Sequence, residues 1–167
     1  PLQPRIGHRL VDDAVAAEQA GIGQHAVRGV EHPQLDLLIA GHVVGELHAL
    51  GCGGAVIYAA GFAETGDHCL QPALLAAAGG MPLLGPNCYG FINATARVAL
   101  WPDEHGLSAL DRGVAIVTQS GNIGCNLTML QRGLPLAALL TLGNQADVDV
   151  AETVAALALD PRITAIG

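Results

Sequence analysis

The chain has 167 residues, of which 51% are hydrophobic and 3% are aromatic, and its formal net charge is −8. It contains seven arginines and no lysine, which excludes a broad basic face for a nucleic-acid duplex, a Walker-type phosphate lysine and a Schiff-base lysine. The apolar runs are too short to span a bilayer and no secretory signal is visible, so the sequence predicts a soluble, cytoplasmic protein.

Neither the cysteines nor the histidines form a metal-binding pattern. The four cysteines contain no CxxC pair, which argues against a zinc ribbon, and a secreted disulfide scaffold is improbable at this chain length. The seven histidines show no HExxH or similar spacing. We therefore expect reduced, mostly buried thiols and assign no metal.

Strand-like and helix-like segments alternate along most of the sequence, which predicts an α/β fold with a parallel sheet and helices on both of its faces. The predicted helices are Val11–Ala20, Val43–Leu50, Asp67–Ala78, Asn122–Arg132 and Val150–Leu159. The predicted strands are Leu35–Ala40, Gly54–Ala60, Met81–Leu84, Gly113–Thr118, Leu136–Leu142 and Ile163–Ile166. The alternation is lost over Ala94–Arg112, which we interpret as a connection between two α/β units.

The segment Thr118–Gly124 (TQSGNIG) directly follows a predicted strand and opens a predicted helix. Small residues leave the first backbone N–H groups accessible, and the helix dipole favours a negative charge there. Ser120 is a good N-cap residue, and its hydroxyl is also able to bind a phosphate oxygen. An ordinary strand-to-helix turn explains the pattern equally well, so both interpretations stay open at this point.

Two further segments lie where predicted strands end, which is the ligand-binding edge of an open α/β sheet. In Leu84–Gly90 (LGPNCYG), Asn87 either binds a ligand or braces the turn, and Cys88 is more simply a packing residue than a nucleophile because no histidine lies in the motif. In Ala59–Gly66 (AAGFAETG), Gly61 allows a close approach, and Glu64 either contacts a ligand or satisfies helix-start donors.

The segment Gly143–Asp149 (GNQADVD) combines a Gly-Asn turn with two carboxylates. Its favoured interpretation is that Asp147 or Asp149 caps the next helix and makes a contact between domains. The two carboxylates also resemble half of a metal site, but no other acidic ligands are nearby.

Five segments occur in an order that resembles the acetate–CoA ligase (NDP-forming) family of acyl-CoA synthetases, relatives of the succinyl-CoA synthetase α subunit. They are AVIYAAGFAETG, MPLLGPNCYGFIN, RGVAIVTQSGNIG, LAALLTLGNQADVDVAE and LALDPRITAIG. The resemblance implies a Rossmann-like CoA-binding domain over residues 1–98, a connection at 99–111, and the start of a flavodoxin-like ligase domain over 112–167. It also implies the reaction acid + CoA + NTP ⇌ acyl-CoA + NDP + phosphate.

The resemblance also assigns roles to individual positions. Gly61 and Phe62 would border the CoA site, and Asn87 and Cys88 would lie near the CoA thiol and the acyl group. Ser120, Gly121 and Asn122 would begin the helix that stabilises phosphate on a histidine. That phosphohistidine is expected downstream of this sequence, so no catalytic residue is assigned here. ATP or ADP and Mg²⁺ would bind to an ATP-grasp domain or subunit that this sequence lacks, and a homo-oligomer is possible.

The sequence departs from the family pattern near its N-terminus, where the first strand and the glycine-rich turn that hold CoA have no counterpart in the first 35 residues. A non-catalytic CoA- or nucleotide-binding module is therefore the alternative function. A dinucleotide-dependent oxidoreductase is disfavoured because the sequence has no GxGxxG motif with an acidic partner.

Overall fold

The computed structural model describes residues 33–66, 69–130 and 132–167, with side chains from residue 40 onward. The predicted helix Val11–Ala20 lies outside these residues. The described part confirms the predicted α/β class, with a two-stranded parallel sheet and a five-stranded sheet that is mixed and not wholly parallel as predicted. None of the helices within the described residues is both long and apolar enough to cross a membrane.

The first element is helix α1, Pro33–Ala49, and it corrects one prediction. Leu35–Ala40 was predicted as a strand, but it forms the first turns of this helix. Three of its six residues are Leu, a strong helix former, and Pro33 at the first helical position suits a helix start. Gly41 does not stop the helix, because a glycine within a helix weakens it without breaking it.

A small sheet and two helices enclose the first hydrophobic core. Strand β1 (Ala55–Val56) pairs in parallel with β2 (Leu83–Leu84), and between them lie a 3₁₀ turn (Ala63–Thr65) and helix α2 (Leu70–Ala78). Both strands are shorter than predicted. The largest fully buried side chains of this core are Val44, Phe62, Leu74 and Leu83.

The second sheet has the strand order β4-β3-β6-β5-β7. Its strands are β3 (Gly90–Asn93), β4 (Val98–Leu100), β5 (Gly113–Thr118), β6 (Leu136–Thr141) and β7 (Ile163–Ile166), with helix α3 (Gly121–Thr128) after β5 and helix α4 (Val150–Ala158) after β6. β5, β6 and β7 are parallel, whereas β3 runs antiparallel to both β4 and β6.

Strands β3 and β4 were not predicted. They place part of the predicted CoA-binding unit and the start of the predicted connection in the five-stranded sheet. Gly90–Asn93 pairs with Ala138–Thr141 of β6, and Val98–Leu100 extends the sheet by one strand. Residues 90–100 therefore share a sheet with residues 113–166, across the predicted boundary near residue 98. The division of the chain into domains stays a prediction, but it does not coincide with a division between sheets.

The carboxyl ends of strands from both sheets meet in one place. Asn144, just after β6, donates its backbone N–H to the carbonyl of Pro86 at 2.8 Å, and Ala146 donates to the carbonyl of Gly85 at 2.9 Å. Gly143 donates to the carbonyl of Gln119, just after β5, at 3.1 Å. The loops that follow β2, β5 and β6 are thus hydrogen-bonded to one another, and they carry the motifs that the sequence placed at strand ends.

Candidate functional site

Helix α3 begins at the tip of β5 with the N-cap that the sequence predicted. Ser120 has an extended backbone (φ −87°, ψ 124°), and its Oγ accepts a hydrogen bond from the N–H of Ile123 at 3.4 Å. The first turn of α3 contains no acidic residue, and Asn122 and Ile123 are exposed. The first N–H groups of a helix have no partner within it, so this end of α3 presents uncompensated positive dipole to solvent.

Two glycines allow α3 to lie directly against its neighbours. A Cβ atom on Gly121 would come within 2.3 Å of the Tyr89 ring, and one on Gly124 would come within 2.7 Å of the Thr141 methyl group. Tyr89 is itself fixed, because its N–H donates to Thr141 Oγ1 at 2.7 Å and its ring meets Trp101 edge-on at 5.6 Å between centroids. The start of α3 is therefore held against the loop that follows β2.

That loop has a positive φ at two of its positions, Gly85 and Asn87. Gly85 has φ +105° and Asn87 has φ +56°, a left-handed conformation that asparagine tolerates better than most residues. The Asn87 N–H donates to the carbonyl of Ala59 at 2.9 Å, which ties the loop to the end of β1. The amide side chain of Asn87 is half-buried and lies close to Asn144, where its Nδ2 donates to Asn144 Oδ1 at 3.5 Å.

Cys88 is a packing residue in this structure. Its side chain is 3% exposed, and its Sγ donates to the carbonyls of Ile57 and Leu84 at 3.5 and 3.6 Å. Burial raises the pKa of the Cys88 thiol to about 11, although hydrogen bonds with the backbone of Gly90 and Ile57 act in the opposite direction. The thiol is therefore neutral near pH 7, which argues against nucleophilic chemistry at this position.

The loop after β1 holds Gly61, Phe62 and Glu64. Gly61 has φ +106° and donates its N–H to Glu64 Oε1 at 2.5 Å. The Phe62 ring is 1% exposed and belongs to the first core, so Phe62 is able to border a ligand only through its backbone. Glu64 also accepts a hydrogen bond from Asn144 Nδ2. Burial opposes ionisation of Glu64, but these hydrogen bonds outweigh it and lower the pKa of its carboxyl.

Gly143 is the point at which the predicted site residues come together. Its φ is +55°, and a Cβ atom there would lie 2.2 Å from the carbonyl oxygen of Pro86 and 2.5 Å from that of Asn87. Gln119 lies on its other side and donates from Nε2 to the carbonyl of Gly143 at 3.4 Å. The structure thus brings Ser120 and its neighbours close to Asn87, whereas Phe62 and Cys88 point into the protein interior.

The two carboxylates of the Gly143–Asp149 segment divide the roles predicted for them. Asp149 caps α4 by accepting the N–H of Glu152 at 2.8 Å. Asp147 accepts the N–H of Leu83 at 2.9 Å, which is a contact between the two sheets. Within the three described stretches of the chain, no group of three His, Cys, Asp or Glu residues is placed to hold a metal ion.

Sequence reasoning missed the contacts that assemble the site. Glu64 and Asn144 are 80 positions apart, and Tyr89 lies on a different loop from Gly121, so no local pattern indicates either contact. The only available signal was that each residue belongs to a short segment rich in glycine at the end of a predicted strand.

Comparison with known proteins supports the resemblance. Residues 111–167 match the family described as succinyl-CoA ligase like flavodoxin domain. The chain is 38% identical over 112 residues to a trans-feruloyl-CoA synthase from an unidentified prokaryote, an alignment that covers 62% of this chain and 16% of that protein. It is 30% identical over 115 residues to the α subunit of an ADP-forming acetate–CoA ligase II from Pyrococcus furiosus, which covers 65% of this chain and 24% of that subunit.

A solved structure shows the same relationship in three dimensions. The apo form of Ca. Korarchaeum cryptofilum dinucleotide forming acetyl-coenzyme A synthetase 1 superposes with a TM-score of 0.69 at 28% identity, covering 78% of this chain and 29% of that one. The same synthetase in complex with phosphate and ADP gives a TM-score of 0.66 at 29% identity, covering 75% and 27%. Residues 111–167 thus match the succinyl-CoA ligase like flavodoxin domain, and the longer alignments show that the chain is similar to acyl-CoA synthetases, one of them named as ADP-forming. The chain spans less than a third of the length of each of these relatives.

Proposed function

We propose that this chain is part of an NDP-forming acyl-CoA synthetase and that it supplies contacts to phosphate and CoA. The reaction is acid + CoA + NTP ⇌ acyl-CoA + NDP + phosphate, with a phosphohistidine, an ATP-grasp unit and its Mg²⁺ contributed by parts of the enzyme outside this chain. The proposed location of this enzyme is the cytoplasm. The acid is a small carboxylic acid.

The observation that carries the proposal is the contrast between two helix starts of the second unit. Helix α4 begins with Asp149 as its cap and Glu152 in its first turn, so its N-terminal dipole is already compensated by negative charge. Helix α3 begins with the uncharged Ser120 and has no acidic residue in its first turn. Of these two helix starts, α3 is therefore the one whose positive N-terminal dipole remains available to a phosphate group.

The position of this helix start fits the family reaction. Ser120, Gly121 and Asn122 lie at the tip of β5, beside the loop that contains Asn87, where an acyl phosphate or a phosphohistidine would meet the thiol end of CoA. Gly61 and Asn87 both have backbones in the left-handed region, and they lie at the tips of β1 and β2. CoA would approach across these tips, with Phe62 and Cys88 forming the packed layer beneath it.

The test is a pair of substitutions at Ser120 in the full-length enzyme. Asparagine and aspartate are nearly identical in size and both are good N-caps, so both variants keep α3, but only Ser120→Asp adds a negative charge. We expect Ser120→Asp to lower phosphohistidine formation from radiolabelled ATP by about tenfold or more, because two negative charges would compete for one helix start. Ser120→Asn should stay within about threefold of the wild-type rate.

Equal phosphorylation of the two variants would contradict an anion-binding role for the start of α3. The control is circular dichroism of both variants, which should match the wild-type spectrum if the fold is retained. Because the two variants differ by a single charge, any difference between them reports electrostatics and not the loss of the cap.

A further inference from the structure

A continuous chain of hydrogen bonds joins the two backbone segments proposed to border CoA. Glu64 Oε1 accepts the N–H of Gly61 at 2.5 Å, and Glu64 Oε2 accepts from Asn144 Nδ2. Asn144 Oδ1 in turn accepts from Asn87 Nδ2 at 3.5 Å. Gly61 stands at one end and Asn87 at the other, and neither Glu64 nor Asn144 was assigned a role by the family resemblance.

The backbones at the two ends of this hydrogen-bonded series need to be held for different reasons. Asn87 has φ +56°, and a residue other than glycine persists in the left-handed region when its surroundings fix it. Gly61 has φ +106°, which glycine adopts freely, and its wide conformational freedom has to be restricted if the loop is to keep one geometry. The Glu64 carboxylate fixes the amide of Gly61, and Asn144 fixes the side chain of Asn87.

Asn144 is well placed to act as the link, because hydrogen bonds fix its own backbone and that of its neighbours. Its N–H donates to the carbonyl of Pro86 at 2.8 Å, Gly143 donates to the carbonyl of Gln119 at 3.1 Å, and Ala146 donates to the carbonyl of Gly85 at 2.9 Å. The side chain of Asn144 therefore reaches Glu64 from a rigid position that also adjoins the start of α3. A movement of the loop that contains Gly61 or of the loop that contains Asn87 would therefore change the hydrogen bonds of Asn144.

The charge of Glu64 suits this role. An ionised carboxylate accepts hydrogen bonds at both oxygens, which is what Gly61 and Asn144 require. The lowered pKa of Glu64 agrees with an ionised side chain at neutral pH. Because Glu64 is exposed, its contribution to the stability of the whole fold is small, and its effect is local.

We propose that Glu64 and Asn144 are positioning residues that hold the Gly61 and Asn87 loops in the geometry required to bind CoA. The pair acts through these loops and does not itself touch the reacting atoms. This inference rests on the proposed function for its link to CoA, but its structural part, the control of two loops by one hydrogen-bonded pair, is measurable without CoA.

The test is a substitution in the full-length enzyme and its repair. Asn144→Asp places a second carboxylate against Glu64, so the contact becomes repulsive. Adding Glu64→Gln restores a hydrogen bond between positions 64 and 144, with position 64 now the donor. The Gln amide nitrogen donates to the Asp carboxylate, while the Gln oxygen still accepts the N–H of Gly61. The control is Asn144→Asp combined with Glu46→Gln, which removes the same charge at an exposed site on α1, where Glu46 faces His42 at 3.3 Å.

The first measurement is hydrogen–deuterium exchange without CoA. We expect Asn144→Asp to speed exchange in peptides that contain Gly61 and Asn87 by about tenfold. The added Glu64→Gln change should return exchange to within about threefold of wild type, and the Glu46→Gln control should not. The melting temperature should change by no more than about 2 °C in any variant, since the hydrogen bond between Asn144 and Glu64 is exposed.

The second measurement is the KM for CoA, which should rise about tenfold in Asn144→Asp and recover only with Glu64→Gln. Unchanged exchange in Asn144→Asp, or equal repair by Glu64→Gln and Glu46→Gln, would overturn the inference. If the wild-type enzyme does not use CoA, the proposed function fails, and the exchange measurement still decides whether this pair holds the two loops.

Discussion

Cys88 shows how burial decides the chemistry of a residue whose sequence position invites a catalytic role. It lies next to Asn87, at the predicted CoA site, yet its Sγ faces the carbonyls of Ile57 and Leu84 in the interior. With a pKa of about 11, only roughly one thiol in a thousand is ionised at pH 8. A buried, protonated thiol is a poor nucleophile.

We therefore predict that Cys88 resists alkylation in the native protein. Treatment with iodoacetamide at pH 8, followed by peptide mapping, should modify the exposed Cys69 and leave Cys88 at least about a hundredfold slower. The pKa of Cys88 is raised on folding, so its reactivity should increase only as the pH approaches 11 or when the protein unfolds. Alkylation of Cys88 as fast as that of Cys69 would show that the thiol is open to solvent and ionised.

The loop after β6 is the element on which the assembly of the site depends. Gly143 has a positive φ and lies against the carbonyl oxygens of Pro86 and Asn87, so a side chain there meets backbone that has no room to move. Gly133 offers a matched comparison, because it also has a positive φ (+70°) but nothing lies within 4 Å of its missing Cβ. An alanine at Gly133 therefore introduces backbone strain alone, whereas an alanine at Gly143 introduces both backbone strain and a steric clash.

We predict that Gly143→Ala lowers the free energy of unfolding by about 3 kcal/mol, since it adds a clash to the cost of a left-handed alanine. Gly133→Ala should cost about 1 kcal/mol, which is the conformational term alone. Urea denaturation of both variants, followed by circular dichroism, measures the difference. Similar losses for the two variants would mean that the contact between the loops after β2 and β6 is looser than described.

The elements best predicted from sequence were those with β-branched runs and clear caps. Gly113–Thr118 and Ile163–Ile166 form strands with the predicted bounds, and Ser120 and Asp149 cap helices α3 and α4. The strand predicted over Leu35–Ala40 was wrong because a short run rich in Leu fits a helix as well as a strand. In the structure the segment is helical, and the helix continues through Gly41 to Ala49. Gly41 had been interpreted as the end of the predicted strand.

Other features were beyond a local pattern. β3 and β4 are short, and their own sequences do not predict strands. β3 forms because it pairs with residues 138–141 at the edge of β6, and β4 then pairs with β3. The same holds for the site. The N-cap at Ser120 was predictable from residue types, whereas the contacts of Glu64 with Asn144 and of Tyr89 with Gly121 depend on how the loops meet in space.

At the scale of the whole molecule, two sheets meet at their strand tips and bring three loops together. β1 and β2 supply Gly61 and Asn87, β5 supplies Ser120, and β6 supplies the Gly143–Asn144 loop that joins them. The chain covers between 16% and 29% of the lengths of these relatives. In this account, the proposed anion-binding start of α3 lies beside the loops proposed to border CoA.

The most direct test of this account is the product stoichiometry of the full-length enzyme. The enzyme is incubated with ATP, CoA and a panel of small carboxylic acids that includes acetate and ferulate, and the nucleotides and thioesters are quantified by chromatography. The account predicts one ADP and one phosphate for each acyl-CoA formed, and no more than one ADP per active site, from phosphorylation of the histidine, when CoA and the acid are left out. Formation of AMP and pyrophosphate, or CoA binding without any thioester, would contradict it.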